Sequence, residues 1–289
     1  MWLPHRDKPF SEATIWKLLE CMIDGLTLLE TGKEYDVNGT DVIKRMPERL
    51  ADWKQIVHFD LKPQNCRSCS PKGNTSSTDM KAVLLSDAQE GHEFAPIVKL
   101  ADFGTAKTFT EDQLPVEDHQ QRLMGTPGYY TPEQFTKWWD YKDWAQSEIA
   151  GQYSTRTNVW QIGAVLYNLI TCQAGAVVEI HRGFKPQNSI FGNPSKGLTY
   201  GHDLYTYIHG KDDDHFTIKY SETLIHTCWE MLYEIPAHRP SLFALKQRIV
   251  EVCKYFEPDD YEVSDQHLCF IISTLLTVTL TAYREFQSS

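Results

Sequence analysis

The chain has little positive charge for its size. Its 289 residues include 28 Lys and Arg against 39 Asp and Glu, which gives a formal net charge of −11 at pH 7. No stretch of the sequence is rich in Lys or Arg. Because nucleic-acid binding depends on clustered positive charge that neutralises phosphates, we expect no nucleic-acid partner.

Paired metal-binding cysteines are also lacking. Cys66 and Cys69 have the spacing of half a zinc site, but no second such pair follows them, so a zinc site is not predicted. The chain has seven cysteines, an odd number scattered along the sequence, which favours reduced thiols. No charged start is followed by an apolar run, as it would be in a signal peptide. We therefore expect a cytoplasmic protein.

A long apolar run is missing as well. The uncharged segment 268–283 has 16 residues, whereas a membrane-spanning helix needs roughly 20. It contains four Thr and one Ser among β-branched neighbours, a composition that suits a strand or a docked segment as well as a membrane helix. Membrane contact through 268–283 is not favoured, and residues 258–289 are assigned to a C-terminal tail.

Three short motifs stand in a fixed order. Residues 58 to 65 read His-Phe-Asp-Leu-Lys-Pro-Gln-Asn, residues 102 to 104 read Asp-Phe-Gly, and residues 131 to 133 read Thr-Pro-Glu. A lone Asp-Phe-Gly recurs by chance, but an eight-residue match followed by two further motifs is specific. Together the motifs resemble the catalytic half of a eukaryotic protein kinase of the serine/threonine type.

This resemblance implies a chemical role for each motif. Asp60 would accept the proton of the acceptor hydroxyl, and Lys62 would offset the charge of the transferring phosphate. Asn65 and Asp102 would be the metal ligands, since Mg²⁺ prefers carboxylate and amide oxygens. The implied cofactors are ATP and Mg²⁺, which Lys62, Asn65 and Asp102 would bind.

Two features bear on the acceptor. In this family, a Lys two residues after the catalytic Asp accompanies serine/threonine specificity, and Lys62 stands at that position. Thr126 precedes the third motif and would bond Asp60 and Lys62; the alternative is an ordinary turn hydroxyl beside Pro127. The resemblance thus implies a protein as substrate or partner.

Two helices and an ion pair are predicted from segments on either side of these motifs. Apolar residues recur at helical spacing between 15 and 29, and Ser11 is a plausible N-cap. Residues 158 to 163 resemble the family's Asp-x-Trp-x-x-Gly, and the apolar residues around them predict a fully buried helix. Near the end of the chain, His238-Arg239-Pro240 resembles the family's closing Arg segment. This resemblance implies a bidentate pair of Arg239 with Glu133.

Two residues depart from the family pattern. Phe59 stands where most kinases have Arg, so the cation that would clamp a phosphorylated activation loop is missing, and control by loop phosphorylation is disfavoured. Asn158 stands where the family has Asp. We expect the amide to bond the catalytic-loop backbone more weakly than a carboxylate would.

The largest departure precedes residue 58. Kinases cover ATP with a G-x-G-x-x-G loop and a strand Lys, but residues 1 to 57 contain only Gly25, Gly32 and Gly39, far apart, and no Val-Ala-x-Lys. The predicted fold is therefore α+β and mainly α. It is a kinase-like large lobe over residues 1–257 with a short β-hairpin, and its small N-terminal lobe is missing.

Residues 66–82 read as an insertion. They are rich in Ser, Thr, Gly and Pro, as in loops without a packed core. Without them, Asn65 would join Val83, the expected start of the next strand. A retained non-coding segment, or an imperfect gene model, would explain both this insertion and the missing lobe.

Two functions from different classes remain open. The first is a serine/threonine protein kinase, impaired because phosphoryl transfer depends on positioning and electrostatics and half of the ATP cleft is missing. The second is a non-catalytic, kinase-like (pseudokinase) interaction module or a truncated fragment.

Overall fold

The computed structural model describes residues 9–35, 45–63, 66–67, 98–110, 115, 119–171, 183–186, 197–205, 208 and 220–261. In these ranges the helices are α1 (Glu12–Thr31), α2 (His119–Arg122), α3 (Pro132–Phe135), α4 (Thr155–Thr171), α5 (Glu222–Met231) and α6 (Leu242–Cys253). The strands are β1 (Gln55–Val57), β2 (Cys66–Arg67), β3 (Lys99–Leu100) and β4 (Lys107–Phe109). The prediction of a mainly helical fold is confirmed.

Helix α1 begins and ends as its sequence predicts. The Ser11 hydroxyl accepts a hydrogen bond from the Thr14 amide at 3.2 Å, which satisfies one of the free amides of the first turn. Gly32 ends the helix in the left-handed conformation, with φ of 76°. The apolar face of α1 packs against α4 and α6, and this packing forms the larger part of the core.

Helix α4 is the centre of the molecule. Every residue of it except Arg156 is buried, which confirms the predicted all-round burial. A Cβ at Gly163 would lie 2.8 Å from the Met231 Cβ, so glycine is what lets α4 and α5 approach each other so closely. The buried Trp160 and Trp229 lie in the same core.

The strands form two small antiparallel sheets, β1 with β4 and β2 with β3. Gln55 is opposite Phe109 and Val57 is opposite Lys107. Strand β2 begins at Cys66, in the range interpreted as an insertion, and its Cys66 is opposite Leu100. Residues 68 to 97, including Val83, lie outside the described residues. The two sheets place residues 58–63 beside residues 101–106.

Residues 262 to 289 of the predicted tail, with the apolar segment 268–283, lie outside the described part of the chain. Within that described part, no helix is both long and apolar enough to cross a bilayer. Cys21, Cys228 and Cys253 are free thiols.

A cluster of charged side chains joins α1 to α6. The Lys246 ammonium lies 2.9 Å from Glu20 Oε1 and 2.7 Å from Asp24 Oδ2, and Lys17 lies 2.6 Å from Glu20 Oε2. Burial by itself would raise the pKa of Glu20, but the two lysines outweigh it and lower the pKa to about 2. Asp24 has one lysine partner and a buried Oδ1 without a hydrogen bond. Burial raises its pKa to about 6 despite Lys246.

The two carboxylates are therefore expected to differ in their effect on stability. Glu20→Gln should lower the free energy of unfolding at pH 7 by about 2 to 3 kcal/mol, because the native state holds Glu20 ionised. Asp24→Asn should change the free energy of unfolding little, because burial in the native state disfavours the ionised form of Asp24. Urea unfolding of both variants measures the difference. The two variants are comparable because each replaces a carboxylate by an amide of nearly the same size.

The pH dependence gives the control. The contribution of Glu20 is present above its unfolded pKa near 4.5 and is lost as the pH falls toward 2. The native state binds the Asp24 proton more tightly than the unfolded state, so its contribution declines as the pH rises from about 4 to 6. As the pH rises through this range, the free energy of unfolding of Asp24→Asn should therefore increase relative to that of the wild type. Equal losses in both variants at every pH would contradict this assignment.

Candidate active site

Three of the predicted site residues meet in one hydrogen-bonded group. The Lys62 ammonium donates to Asp60 Oδ2 at 2.7 Å and to the Thr126 hydroxyl at 2.5 Å. The Thr126 hydroxyl donates to Asp60 Oδ1 at 2.6 Å. Asp60 is buried, with 8% of its surface exposed. Thr126 is 66 positions from Asp60 in the sequence, so the fold brings two distant motifs into direct contact.

His58 fixes the backbone on which Asp60 stands. The His58 Nε2 lies 2.9 Å from the Ala101 carbonyl, and its Nδ1 accepts the Asp60 amide at 3.3 Å. Since a carbonyl only accepts, the proton is on Nε2 and the ring is neutral. Burial lowers the pKa of His58, although the Ala101 bond opposes the shift. The ring thus acts as a fixed connector between the two motifs.

Asp102 lies beside this loop. Ala101 bonds the His58 ring, and the Thr105 hydroxyl donates to the His58 carbonyl at 2.8 Å, so contacts on both sides of Asp102 hold the segment in place. The Phe103 ring lies 4.8 Å from the His58 ring, centre to centre. The Asp102 side chain is exposed and forms no hydrogen bond or ion pair with another described residue. Asn65 lies outside the described residues.

Backbone strain marks the same two motifs. Among the described residues other than glycine, only Phe59 and Asp102 have positive φ, 66° and 63°. Such conformations cost free energy and are held by their surroundings, and they concentrate at functional sites. Gly125 has φ of 99°, and a Cβ there would lie 2.1 Å from the Phe59 carbonyl oxygen. Only glycine at that position lets the segment carrying Thr126 approach the catalytic loop.

Buried polar residues of α4 hold both segments. Gln161 accepts the Leu61 amide and donates to the Tyr129 carbonyl, each at 3.4 Å. Asn158 Oδ1 accepts the His58 amide at 2.9 Å, and its Nδ2 donates to the Ile56 carbonyl at 2.8 Å. The expected bond of the Asn158 side chain to the backbone of the loop is therefore present. The amide makes a second bond that requires a donor.

We expect Asn158→Asp, which restores the usual family residue, to be destabilising. The carboxylate would be fully buried and would face the Ile56 carbonyl oxygen without a proton between them. The expected loss in the free energy of unfolding is about 2 to 3 kcal/mol. Chemical denaturation measures it.

Asn168→Asp is the matched control for this change. Asn168 is also buried on α4, but its Nδ2 donates to the Tyr129 hydroxyl at 2.9 Å, and a hydroxyl can turn to donate to a carboxylate. This variant should lose less stability. An Asn158→Asp protein at least as stable as the wild type would show that Nδ2 contributes nothing.

A buried ion pair lies beneath the segment that carries Thr126. Glu133 and Arg239 are bidentate, with nitrogen–oxygen distances of 2.8 and 2.7 Å, and both side chains have no exposed surface. Arg239 also donates to the Tyr233 and Arg156 carbonyls, both at 2.8 Å, and the Thr157 hydroxyl donates to Glu133 at 2.9 Å. The predicted pair is confirmed, and it fixes the end of that segment.

Phe59 occupies a buried aromatic cluster. Its ring centre lies 5.9 Å from Phe109 and 5.1 Å from Tyr153. It belongs to a cluster of buried apolar residues together with Val57, Phe109, Trp139, Ala150 and Tyr153. The position that carries a cation in most kinases is therefore filled by close apolar packing.

Several supporting residues were not identified from the sequence. They are Thr105, Gln161, Thr157, Phe109 and Tyr153. For the α4 residues a signal existed, because Thr157, Asn158, Gln161 and Asn168 are polar residues in an otherwise apolar, buried helix, and buried polar groups need partners. For Phe109 and Tyr153 no local pattern distinguishes these aromatic residues from others.

Comparison with known proteins gives the family. A family model described as a protein kinase domain matches residues 52–249, well over half of the chain. The chain belongs to the protein kinase family. Its kinase domain includes the Asp60–Lys62–Thr126 group, the Asp102 segment and the Glu133–Arg239 pair.

Several curated relatives are serine/threonine kinases. The chain is 28% identical over 127 residues to the serine/threonine-protein kinase atg1 of Aspergillus niger, which covers 42% of this chain and 11% of that protein. It is 28% identical over 141 residues to the probable serine/threonine-protein kinase nek1 of Dictyostelium discoideum, covering 48% and 24%.

A plant relative matches over a longer stretch. It is the G-type lectin S-receptor-like serine/threonine-protein kinase LECRK3 of Oryza sativa subsp. indica, 27% identical over 216 residues, covering 72% of this chain and 20% of that protein. The chain thus spans about a quarter or less of the length of these relatives.

Proposed function

We propose that the kinase domain transfers the γ-phosphoryl group of ATP to a serine or threonine hydroxyl of a protein. The observation that carries this proposal is the closed group of Asp60, Lys62 and Thr126, in which a buried carboxylate and an ammonium are held at 2.7 Å. Lys62 two residues after Asp60 and the serine/threonine kinases among the relatives support the acceptor class.

The residues have complementary tasks in this reaction. A bond forms between the acceptor oxygen and the γ-phosphorus, the bond from that phosphorus to the β–γ bridging oxygen breaks, and ADP leaves with that electron pair. Asp60 takes the proton of the acceptor hydroxyl. Lys62 offsets the negative charge on the phosphoryl oxygens. Thr126 keeps the Asp60 carboxylate oriented through its hydrogen bond to Oδ1.

Asp102 is suited to hold the magnesium ion that the family uses. Its carboxylate is exposed and has no hydrogen bond or ion pair among the described residues, and its backbone is fixed on both sides by contacts to His58. No cluster of three or more His, Cys, Asp or Glu in the described residues could hold a metal. Mg²⁺ does not need such a cluster, because it is usually bound by one or two protein oxygens together with substrate phosphates and water. Asn65 is the proposed second ligand.

A second candidate is a non-catalytic kinase-like module. Residues 1 to 57 carry no Gly-rich loop and no strand Lys in the expected context. This sequence feature favours impaired activity of the given chain by itself. The free thiols Cys21, Cys228 and Cys253 support a cytoplasmic setting for either function.

Calorimetric titration with Mg–ATP tests the proposal directly. The full chain should bind Mg–ATP, and Asp102→Asn should abolish that binding while leaving the far-UV circular dichroism and the unfolding midpoint unchanged. Asp140→Asn, which removes another exposed carboxylate, is the matched control and should bind as the wild type does. A folded chain that does not bind Mg–ATP would refute the enzymatic function and support the interaction module.

A further inference from the structure

Gln134 lies at the base of the segment that carries Thr126 and is almost fully buried, with 1% of its surface exposed. Its side-chain nitrogen donates to the Gln121 carbonyl at 2.7 Å and to the Met124 carbonyl at 2.9 Å. Its side-chain oxygen accepts the Thr131 amide at 2.9 Å. One side chain therefore joins three backbone positions that lie on both sides of Thr126.

The orientation of the Gln134 amide follows from these partners. A carbonyl oxygen can only accept a hydrogen bond and a backbone amide can only donate one, so the nitrogen faces the two carbonyls and the oxygen faces Thr131. Gln134 is thus a double donor, and a side chain of the same shape without an NH₂ group cannot replace it. A glutamate would place a carboxylate oxygen against two carbonyl oxygens.

The bond to the Met124 carbonyl acts closest to the catalytic group. Because the peptide unit is planar, a fixed Met124 oxygen also fixes the plane that contains the nitrogen of Gly125. Gly125 has φ of 99° and is the residue directly before Thr126, and glycine has wide conformational freedom. A hydrogen bond that sets the peptide plane before Gly125 therefore limits the directions in which the chain can continue to Thr126.

The other contacts of Gln134 give this bond a rigid base. Thr131 is the N-cap of α3, and α3 contains Glu133, which forms the fully buried pair with Arg239. The Arg122 Nε donates to the Gln134 carbonyl at 3.4 Å. Gln134 thus connects the backbone before Thr126 to the buried ion pair beneath it.

We propose that Gln134 is a positioning residue, whose two donated hydrogen bonds keep the Thr126 hydroxyl on Asp60 Oδ1, at 2.6 Å. It acts through Met124 and Gly125 and not by contact with the reacting groups. The effect on the rate rests on the proposed kinase function. The effect on the backbone of residues 121–126 does not, so the two can be tested separately.

Steady-state kinetics of the full chain, with casein as acceptor, measure the effect on the rate. Gln134→Glu keeps the length of the side chain and an oxygen for Thr131 but donates no bond. It should lower kcat by about 100-fold, as a displacement of about 1 Å at a reacting group can. The KM for ATP should change little, because Asp102 is untouched.

Gln152→Glu is the matched control. The Gln152 side-chain nitrogen also donates to a backbone carbonyl, that of Ser147, at 3.2 Å, but that carbonyl belongs to neither of the segments that carry Asp60 and Thr126. The same change of amide to carboxylate should therefore leave kcat at its wild-type value.

A double-variant cycle separates positioning from a general loss of stability. Thr126→Ala removes the hydroxyl that bonds Asp60 and should itself lower kcat. If Gln134 acts through Thr126, then adding Gln134→Glu to Thr126→Ala should lower kcat by less than about threefold more. A general loss of stability would act equally in both backgrounds, so two effects that multiply in full would overturn the proposal.

Hydrogen exchange reports the backbone independently of the reaction. The Leu123 and Met124 amides bond the Gln120 and Gln121 carbonyls at 3.2 and 3.3 Å. In Gln134→Glu their protection should fall by at least about tenfold. Gln134→Met, of similar size, also donates no bond and should show the same loss, and it carries the test if Gln134→Glu does not fold.

Each result decides the proposal. A folded Gln134 variant with the wild-type kcat, or with wild-type protection at Leu123 and Met124, would overturn it. If the wild type transfers no phosphate, the proposed function fails and hydrogen exchange alone decides whether Gln134 holds the segment. Lost protection in the variant would then support that role, and equal protection would reject it.

Discussion

Replacement of Asp60 by asparagine should lower the rate of phosphoryl transfer by about two to four orders of magnitude, the usual contribution of a positioned general base. The affinity for Mg–ATP should remain, because Asp102 is untouched. Initial rates at saturating Mg–ATP, combined with calorimetric titration of the same variant, measure both quantities.

The size of this effect follows from the contacts of Asp60. Its two oxygens accept bonds from Lys62 and from Thr126. An amide at this position can accept at only one atom, so its NH₂ group would either oppose the Lys62 ammonium, which is a donor only, or face Thr126, whose hydroxyl would have to turn and accept. The variant thus loses both the proton acceptor and the arrangement of the group.

The matched control is again Asp140→Asn, an exposed carboxylate that should leave the rate unchanged. An Asp60→Asn protein that keeps more than about a tenth of the wild-type rate would show that Asp60 is not the base. A wild-type chain that binds Mg–ATP but transfers no phosphate, like its Asp60→Asn variant, would favour the non-catalytic module.

Removal of one partner of the buried Glu133–Arg239 pair should have the largest effect on stability. Arg239→Leu should lower the free energy of unfolding by about 3 to 5 kcal/mol, because it leaves an ionised carboxylate without exposed surface and with one hydroxyl partner, Thr157. Arg239→Lys should also be strongly destabilising, since an ammonium cannot reproduce the bonds of the guanidinium fork. Guanidinium chloride unfolding gives both values.

Two further variants make this result specific. The double variant Glu133→Leu/Arg239→Leu should recover part of the loss, because no unpaired charge remains in the core. Glu251→Gln breaks the exposed pair between Glu251 and Lys254, whose side chains are 61% and 42% exposed, and should cost less than about 1 kcal/mol. An Arg239→Leu loss as small as that of Glu251→Gln would mean that the buried pair contributes little.

Much of the fold could be predicted because its signals are local. Ser11 and the apolar spacing after it predicted α1, since a cap hydroxyl and one apolar face are properties of a single helix. The apolar residues among 159 to 170, which lie nearly all round a helix, predicted a buried helix, which is α4. Strand β2 was not predicted at Cys66, because a two-residue strand is formed by its partner, Leu100, and has no periodicity of its own.

The residues of the candidate site could be predicted from the sequence, but the residues that hold them in place could not. Asp60, Lys62 and Thr126 were identified from motifs, and the structure places them in contact. The second bond of Asn158 was not predicted, because only the structure shows the Ile56 carbonyl that its Nδ2 reaches.

The family, the order of the motifs and the helices whose apolar faces form the core all follow from the amino-acid sequence. These depend on the identity and spacing of neighbouring residues. The tertiary structure alone decided that Thr126 closes on Asp60, that Phe59 packs against Phe109 and Tyr153, and that Asn158 donates as well as accepts. Those contacts join residues tens of positions apart, and which donor meets which acceptor depends on how the packed elements orient them.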